Sequence, residues 1–164
     1  LLQLLPEAVA AEQPDAQVLD WAALMHEIGI SVAHSSYHKH SAYILANADM
    51  PGFSKMDQVR LSRIVLAHRG KLERVQEILP NSPDWLLIFS LRLAVLLHRA
   101  RDDAPLPAIA VRRRERGFSV AVDPVWLAAS PLSASALEEE GRQWSALGME
   151  IKIKAGRGKS QAAA

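Results

Sequence analysis

The chain has 164 residues, of which 49% are hydrophobic and 23% charged, with a net charge of +1 and no cysteine. This length suits one domain with a small appendage, and the apolar fraction excludes global disorder, while the lack of cysteine excludes disulfides, thiolate zinc sites and a cysteine nucleophile. The longest apolar run, residues 85–97, is interrupted by Ser90 and Arg92, so we expect no transmembrane segment.

The first predicted helix begins near Pro14-Asp15, because proline suits the first helical position and an acid suits the first turn. Its apolar face recurs at helical spacing and places His26 on the buried stripe, together with Leu19, Ala22 and Ala23. Gly29 is predicted to end this helix in the left-handed conformation. The start at Leu1, without an initiator Met, suggests a fragment of a longer protein.

Four more helical segments are predicted before residue 102, at about 36–47, 54–70, 71–79 and 83–101. In the first of these, Tyr37, Ser41, Ile44 and Leu45 form the inward face, while His38 and Lys39 point outward. The next one begins with a capping box at Ser54 and Asp57. Its apolar face ends at His68.

The pattern changes after Asp102. Residues 104–107 are a predicted linker, residues 109–111 and 118–122 a hairpin, residues 131–147 a helix and residues 149–154 an edge strand. The predicted fold is mainly α, with a helical bundle (1–103), a small α+β subdomain (104–154) and a disordered tail (155–164).

The histidines are unevenly distributed. His26, His34, His38 and His40 fall within 15 residues, beside Glu27. Neutral imidazole binds metals, and imidazolium binds phosphate. The cluster is therefore a metal site, the remnant of one, an anion-binding surface, or a set of hydrogen-bonded histidines at the edge of the core.

Charge is also unevenly distributed. Residues 1–59 hold two Lys and seven acids, whereas residues 60–101 hold eight Lys or Arg and three acids. The basic central third indicates an anionic partner. The later run from Arg112 to Arg116 is interpreted as a solvated edge strand, and we expect no nucleic-acid partner.

The order of His26-Glu27, His34, His38, His40 and Leu66-Ala67-His68-Arg69 resembles the HD superfamily of phosphohydrolases over residues 16–100. That resemblance implies that the helical bundle (1–103) is HD-like. It also implies His and Asp ligands around a divalent metal. Here Glu27 replaces the family's Asp, and Val95 occupies the position of the last Asp ligand. We therefore predict no metal site, with His26, Glu27 and His68 as a degenerate remnant.

A longer string, from Trp21 to Leu45 and then Asp49-Met50-Pro51-Gly52-Phe53, resembles a narrower family. It is similar to the C-terminal region of exopolyphosphatases and guanosine pentaphosphate phosphohydrolases. The resemblance implies missing N-terminal domains of actin-like ATPase fold that carry the catalytic residues and Mg²⁺. It also implies a homodimer, located in the cytoplasm or peripherally at the inner membrane.

The resemblance predicts the C-terminal fragment of an exopolyphosphatase, which releases terminal phosphate from inorganic polyphosphate. This part would bind the polyanion and aid dimerisation, with no catalytic residue and no cofactor of its own. The predicted substrate-binding residues are His34, His38, Lys39, His40, Arg69 and Lys71. The alternatives are a guanosine pentaphosphate phosphohydrolase fragment, an autonomous metal-dependent HD phosphohydrolase, and a packing module with inert histidines.

Overall fold

The computed structural model describes residues 14–99 and 108–156 of the chain. It is mainly helical with one small sheet, which confirms the predicted fold class. The chain divides between Leu93 and Ala94 into two compact units, a helical unit and an α+β unit. The predicted linker at 104–107 and most of the predicted tail lie outside the described residues.

The helical unit contains three helices and two short 3₁₀ segments, followed by the start of a fourth helix. The helices are α1 (Pro14–Met25), α2 (Tyr37–Asn47), α3 (Lys55–Ala67) and α4 (Asp84–Leu97), and the 3₁₀ segments are Ile28–Ser31 and Leu72–Val75. The core is mostly aliphatic and includes the fully buried side chains of Leu19, Leu45, Leu61, Ile64 and Leu72. The predicted capping box opens α3, with Ser54 and Asp57 bonded reciprocally.

Gly29 differs from its predicted role. Its φ is not positive, α1 already ends at Met25, and Gly29 lies within the first 3₁₀ segment. A Cβ at this position would lie 2.3 Å from both the Ser41 nitrogen and the Tyr37 oxygen. Glycine is therefore required because the backbone packs directly against α2.

Arg60 joins the starts of α1 and α4 to α3. Its guanidinium lies 2.6 Å from Oδ1 of Asp15 and donates through Nε to Oδ1 of Asp84 at 2.8 Å. Burial alone would lower the pKa of Arg60, but the hydrogen bonds to these two carboxylates raise it. Arg60 is therefore a neutralised, structural cation.

The α+β unit contains β1 (Ile109–Arg114), β2 (Gly117–Val122), α5 (Pro124–Ala129), α6 (Pro131–Ser145) and β3 (Glu150–Ala155). The strand order is β1-β2-β3, with β1 antiparallel and β3 parallel to β2. Phe118 and Trp144 pack edge to face with ring centroids 5.5 Å apart. The predicted edge strand β3 is confirmed, and Arg112–Arg114 are exposed on the opposite edge.

None of the helices in the described ranges combines the length and the apolar character that crossing a bilayer requires.

Candidate anion-binding site

Three of the predicted histidines converge where the end of α1, the start of α2 and the end of α3 meet. The ring centroids of His26 and His68 are 5.0 Å apart, and those of His38 and His68 are 6.3 Å apart. The Tyr37 ring lies 5.6 Å from that of His68. By contrast, His34 is exposed before α2, and His40 is half-buried on α2.

Backbone carbonyls fix the proton positions on two of these rings. Nδ1 of His26 lies 2.8 Å from the Ala23 oxygen, and Nδ1 of His68 lies 2.5 Å from the Val65 oxygen. A carbonyl only accepts, so both rings carry a proton on Nδ1. His68 is 2% exposed, and burial lowers its pKa from 6.5 to about 3. His68 is therefore neutral at pH 7, which agrees with the alternative of a hydrogen-bonded histidine in the core.

His38 was predicted to point outward, and that prediction is wrong. It is only 6% exposed. The chain reverses after α3 at Gly70, whose φ is +76°, and this turn brings Arg74 to the edge of the His38 ring. Nη1 of Arg74 lies 2.6 Å from Nε2 of His38. The spacing of apolar residues within α2 does not predict this burial, because Arg74 comes from a distant segment of the chain.

The contact with Arg74 fixes the His38 tautomer. A guanidinium only donates, so Nε2 of His38 is the acceptor and its proton resides on Nδ1. That Nδ1 is buried and has no hydrogen-bond partner within the described residues. Burial first, and then the charge of Arg74, lower the pKa of His38 from 6.5 to about 4. The ring is therefore neutral at pH 7 and adds no positive charge.

We call four cations the basic cluster: Lys39, Arg69, Lys71 and Arg74. Lys39, Arg69 and Arg74 lie near His38, and Lys71 is grouped with them because it lies between Arg69 and Arg74 in the chain. All four are exposed. Arg69, with its Cζ 5.3 Å from the Tyr37 ring centroid, makes a cation–π contact. The charges of Arg74, Arg69 and Lys39 all depress the pKa of His38, which shows that they share one neighbourhood. In the part of the chain that the structure describes, no carboxylate pairs with any member of the cluster.

The remaining cations of the helical unit have structural partners. Arg63 lies 3.7 Å from Glu77. Arg92 is buried and donates through Nη1 to the carbonyl oxygens of Ala67, at 2.6 Å, and Gly70, at 3.0 Å. The sequence therefore predicted too broad a basic region. It also missed Arg74, whose only signal was its spacing of three residues from Lys71 within one short segment.

The residues do not fit the divalent metal that an HD-type site would hold. Across residues 14–99 and 108–156, no three His, Asp or Glu side chains lie close enough together to hold an ion. The Nε2 atom of His38 is occupied by Arg74, and the neighbouring side chains are cationic. Val95, where the last Asp ligand was expected, lies on α4 and offers no ligand atom.

Curated relatives cover most of this chain. A protein of Pseudoalteromonas translucida named guanosine-5'-triphosphate,3'-diphosphate pyrophosphatase is 34% identical over 139 residues, which are 83% of this chain and 28% of that protein. A protein of the same name from Vibrio cholerae is 32% identical, covering 86% of this chain and 29% of the relative. One from Vibrio atlanticus is 31% identical, covering 92% and 32%.

The chain thus spans about a third or less of the length of the relatives it matches. The family model described as "Ppx/GppA phosphatase, domain III" matches residues 3–141, which is most of the chain. The chain therefore belongs to the Ppx/GppA phosphatase family and represents its C-terminal region.

Proposed function

We propose that this chain is the C-terminal part of a guanosine pentaphosphate phosphohydrolase. In this enzyme it binds phosphate groups of the substrate and does not catalyse their hydrolysis. The observation that carries this proposal is the basic cluster, four exposed cations without a carboxylate partner among the described residues. The name of these relatives favours this substrate over the inorganic polyphosphate that the sequence predicted.

The chemistry of the cluster suits a multiply charged phosphate ester. Arg and Lys form short, charge-assisted hydrogen bonds to phosphate oxygens, and guanidinium forms them in pairs. Because the cluster is exposed, its attraction for anions is screened by salt. Binding is therefore expected to be strong at low ionic strength, and to weaken as salt is added.

Hydrolysis belongs, in this proposal, to the part of the parent enzyme that lies outside this chain. That part would contain the actin-like ATPase-fold domains and Mg²⁺, and the parent would be a cytoplasmic homodimer. Within the chain, Arg69 and Lys71 follow α3 and Lys39 lies in the first turn of α2. Each would hold phosphate oxygens by charge and hydrogen bonds alone.

Calorimetric titration of the chain at low salt tests the proposal. Guanosine pentaphosphate should bind more tightly than GTP, and the affinity should fall with added salt. The triple variant Lys39→Gln, Arg69→Gln, Lys71→Gln should lose at least ten-fold in affinity. Arg63→Gln is the matched control, because Arg63 already faces Glu77, and it should bind like the wild type.

Three results would contradict the proposal. If guanosine pentaphosphate did not bind at low salt, the proposed function would be wrong. Tight binding of long-chain polyphosphate with no binding of the nucleotide would favour the exopolyphosphatase alternative. Metal-dependent hydrolysis by this chain alone would favour an autonomous HD phosphohydrolase.

A further inference from the structure

We infer that Arg74 contacts the phosphate groups directly, and that His38 is a positioning residue that holds the Arg74 guanidinium in place. This inference rests on the proposed function for the nature of the ligand. It assigns phosphate binding to Arg74 and positioning to His38, a distinction that the sequence did not make. His38 was predicted to bind the substrate itself, whereas Arg74 was counted in the basic central third but not named among the substrate-binding residues.

The first support is the geometry of the contact. Nη1 of Arg74 donates to Nε2 of His38 at 2.6 Å, and the imidazole is 6% exposed. The acceptor is thus a rigid ring held inside the protein. The donor is a side chain whose residue is exposed. One N–H of Arg74 is fixed by this bond, and four of its five donors are left for a ligand.

The second support is the backbone beneath the contact. A Cβ on Gly70 would lie 2.9 Å from Nη1 of Arg74 and 3.5 Å from Nε2 of His38. Because Gly70 has no side chain, the Arg74 guanidinium and the His38 ring have room to meet at this position. Arg92 donates to the Gly70 oxygen at 3.0 Å and holds this turn from the other side.

The third support is that neither ring nitrogen of His38 is available to a phosphate group. Its Nε2 lone pair is already used by Arg74, and its Nδ1 proton lies on a buried nitrogen. In the exposed part of the site the phosphate oxygens would meet guanidinium and ammonium groups. His38 then contributes by restricting the rotamers of Arg74 before the ligand arrives, which lowers the entropy lost on binding.

The experiment uses inorganic tripolyphosphate as the probe and the chain as the protein. We expect Arg74→Gln to weaken binding about ten-fold or more, as the loss of a charged hydrogen-bond donor implies. Arg74→Lys should recover only part of the affinity, because an ammonium lacks the planar fork. Since Arg74 is exposed, these variants are expected to fold.

The positioning role is tested on His38. His38→Phe should weaken tripolyphosphate binding several-fold when Arg74 is present, and have no effect in the Arg74→Gln background. His38→Gln, which keeps a side-chain acceptor, should bind more tightly than His38→Phe. In ¹⁵N spectra of the wild type, Nε2 of His38 should show the shift of an unprotonated ring nitrogen. Nδ1 should be the protonated nitrogen.

The outcomes separate the two proposals. Tripolyphosphate that binds the wild type but is insensitive to Arg74→Gln would overturn this inference and leave the proposed function standing. A His38 ring protonated on Nε2 would overturn the positioning role, whatever the affinities. If the wild type bound neither tripolyphosphate nor guanosine pentaphosphate, both the proposed function and this inference would be wrong. If His38→Phe did not fold, the ¹⁵N spectra and the Arg74 variants would still decide the matter.

Discussion

The backbone N–H of Gly29 donates to Oγ of Ser41 at 2.9 Å, and the same hydroxyl donates to the carbonyl oxygen of His26 at 2.8 Å. Ser41 thus joins α2 to the segment that follows α1. This junction places Tyr37 and His38, one turn earlier on α2, beside His68. The orientation of the candidate anion-binding site therefore depends on the close approach of two backbones.

We predict that Gly29→Ala destabilises the chain by about 3 kcal/mol, at the upper end of typical overpacking costs. The new Cβ would lie 2.3 Å from two backbone atoms, which cannot move as a flexible side chain can. Urea unfolding of both proteins measures the difference. Gly141→Ala is the control, because nothing lies within 4 Å of its Cβ position on α6. A helical Gly→Ala change should stabilise slightly, so equal effects of the two substitutions would contradict the prediction.

Arg60 gives a prediction that separates stability from binding. Arg60→Met leaves Asp84, which is 7% exposed, without its cationic partner. Removing one member of a buried pair typically costs about 3–5 kcal/mol. We expect a loss near the lower bound, because the Arg60 side chain is 26% exposed. Urea unfolding measures it, and adding Asp84→Asn should recover part of the loss.

The affinity for guanosine pentaphosphate should not change in Arg60→Met at a temperature where the variant is folded. Arg60 is already neutralised by Asp15 and Asp84 and offers little charge to a ligand. A large loss of affinity together with unchanged stability would show that Arg60 belongs to the binding surface and not to the core.

Tyr37 supports Arg69 through its ring, and not through its hydroxyl group. The guanidinium carbon lies 5.3 Å from the ring centroid, and an exposed cation–π contact is worth about 0.5–1 kcal/mol. Tyr37→Leu should therefore weaken guanosine pentaphosphate binding about two- to five-fold. Tyr37→Phe keeps the ring and should bind like the wild type. Equal losses in both variants, measured by calorimetry, would show that the hydroxyl group matters instead.

Local signals in the sequence predicted most of the elements, although the helix expected at 71–79 is only the short 3₁₀ segment Leu72–Val75. Ser54 and Asp57 marked the start of α3, and the apolar period of α3 placed His68 in the core. These features depend on residues three or four positions apart, which helical geometry brings together. In the α+β unit, the turn signal at Arg116-Gly117 predicted the hairpin of β1 and β2, and alternating residues predicted β3.

Features that depend on distant contacts were not predicted. His38 and Arg74 are 36 residues apart and meet only because the chain reverses at Gly70. Gly29 was assigned to a helix end on its residue type, although its role comes from packing against α2. Similarly, the sequence counted Arg60 and Arg63 toward the basic central third and did not reveal their carboxylate partners, which lie on other segments.

The buried histidines predict how stability depends on pH. Burial lowers the pKa of His68 to about 3 and that of His38 to about 4, from 6.5 in the unfolded chain. Between these values the unfolded state binds more protons than the folded state, so the free energy of unfolding decreases as pH falls below about 6.5. Each such histidine contributes a slope of up to about 1.4 kcal/mol per pH unit. As pH rises above about 7.5, this contribution approaches a constant value.

Urea unfolding between pH 7 and pH 5 measures this slope in a range where most carboxylates remain ionised. His68→Gln should make the slope shallower by up to about 1.4 kcal/mol per pH unit, whatever it does to the absolute stability. His34→Gln is the control, because His34 is exposed, and it should leave the slope unchanged. A wild-type slope near zero over this range would mean that the His68 and His38 rings take up protons in the folded state, and are not held neutral by burial.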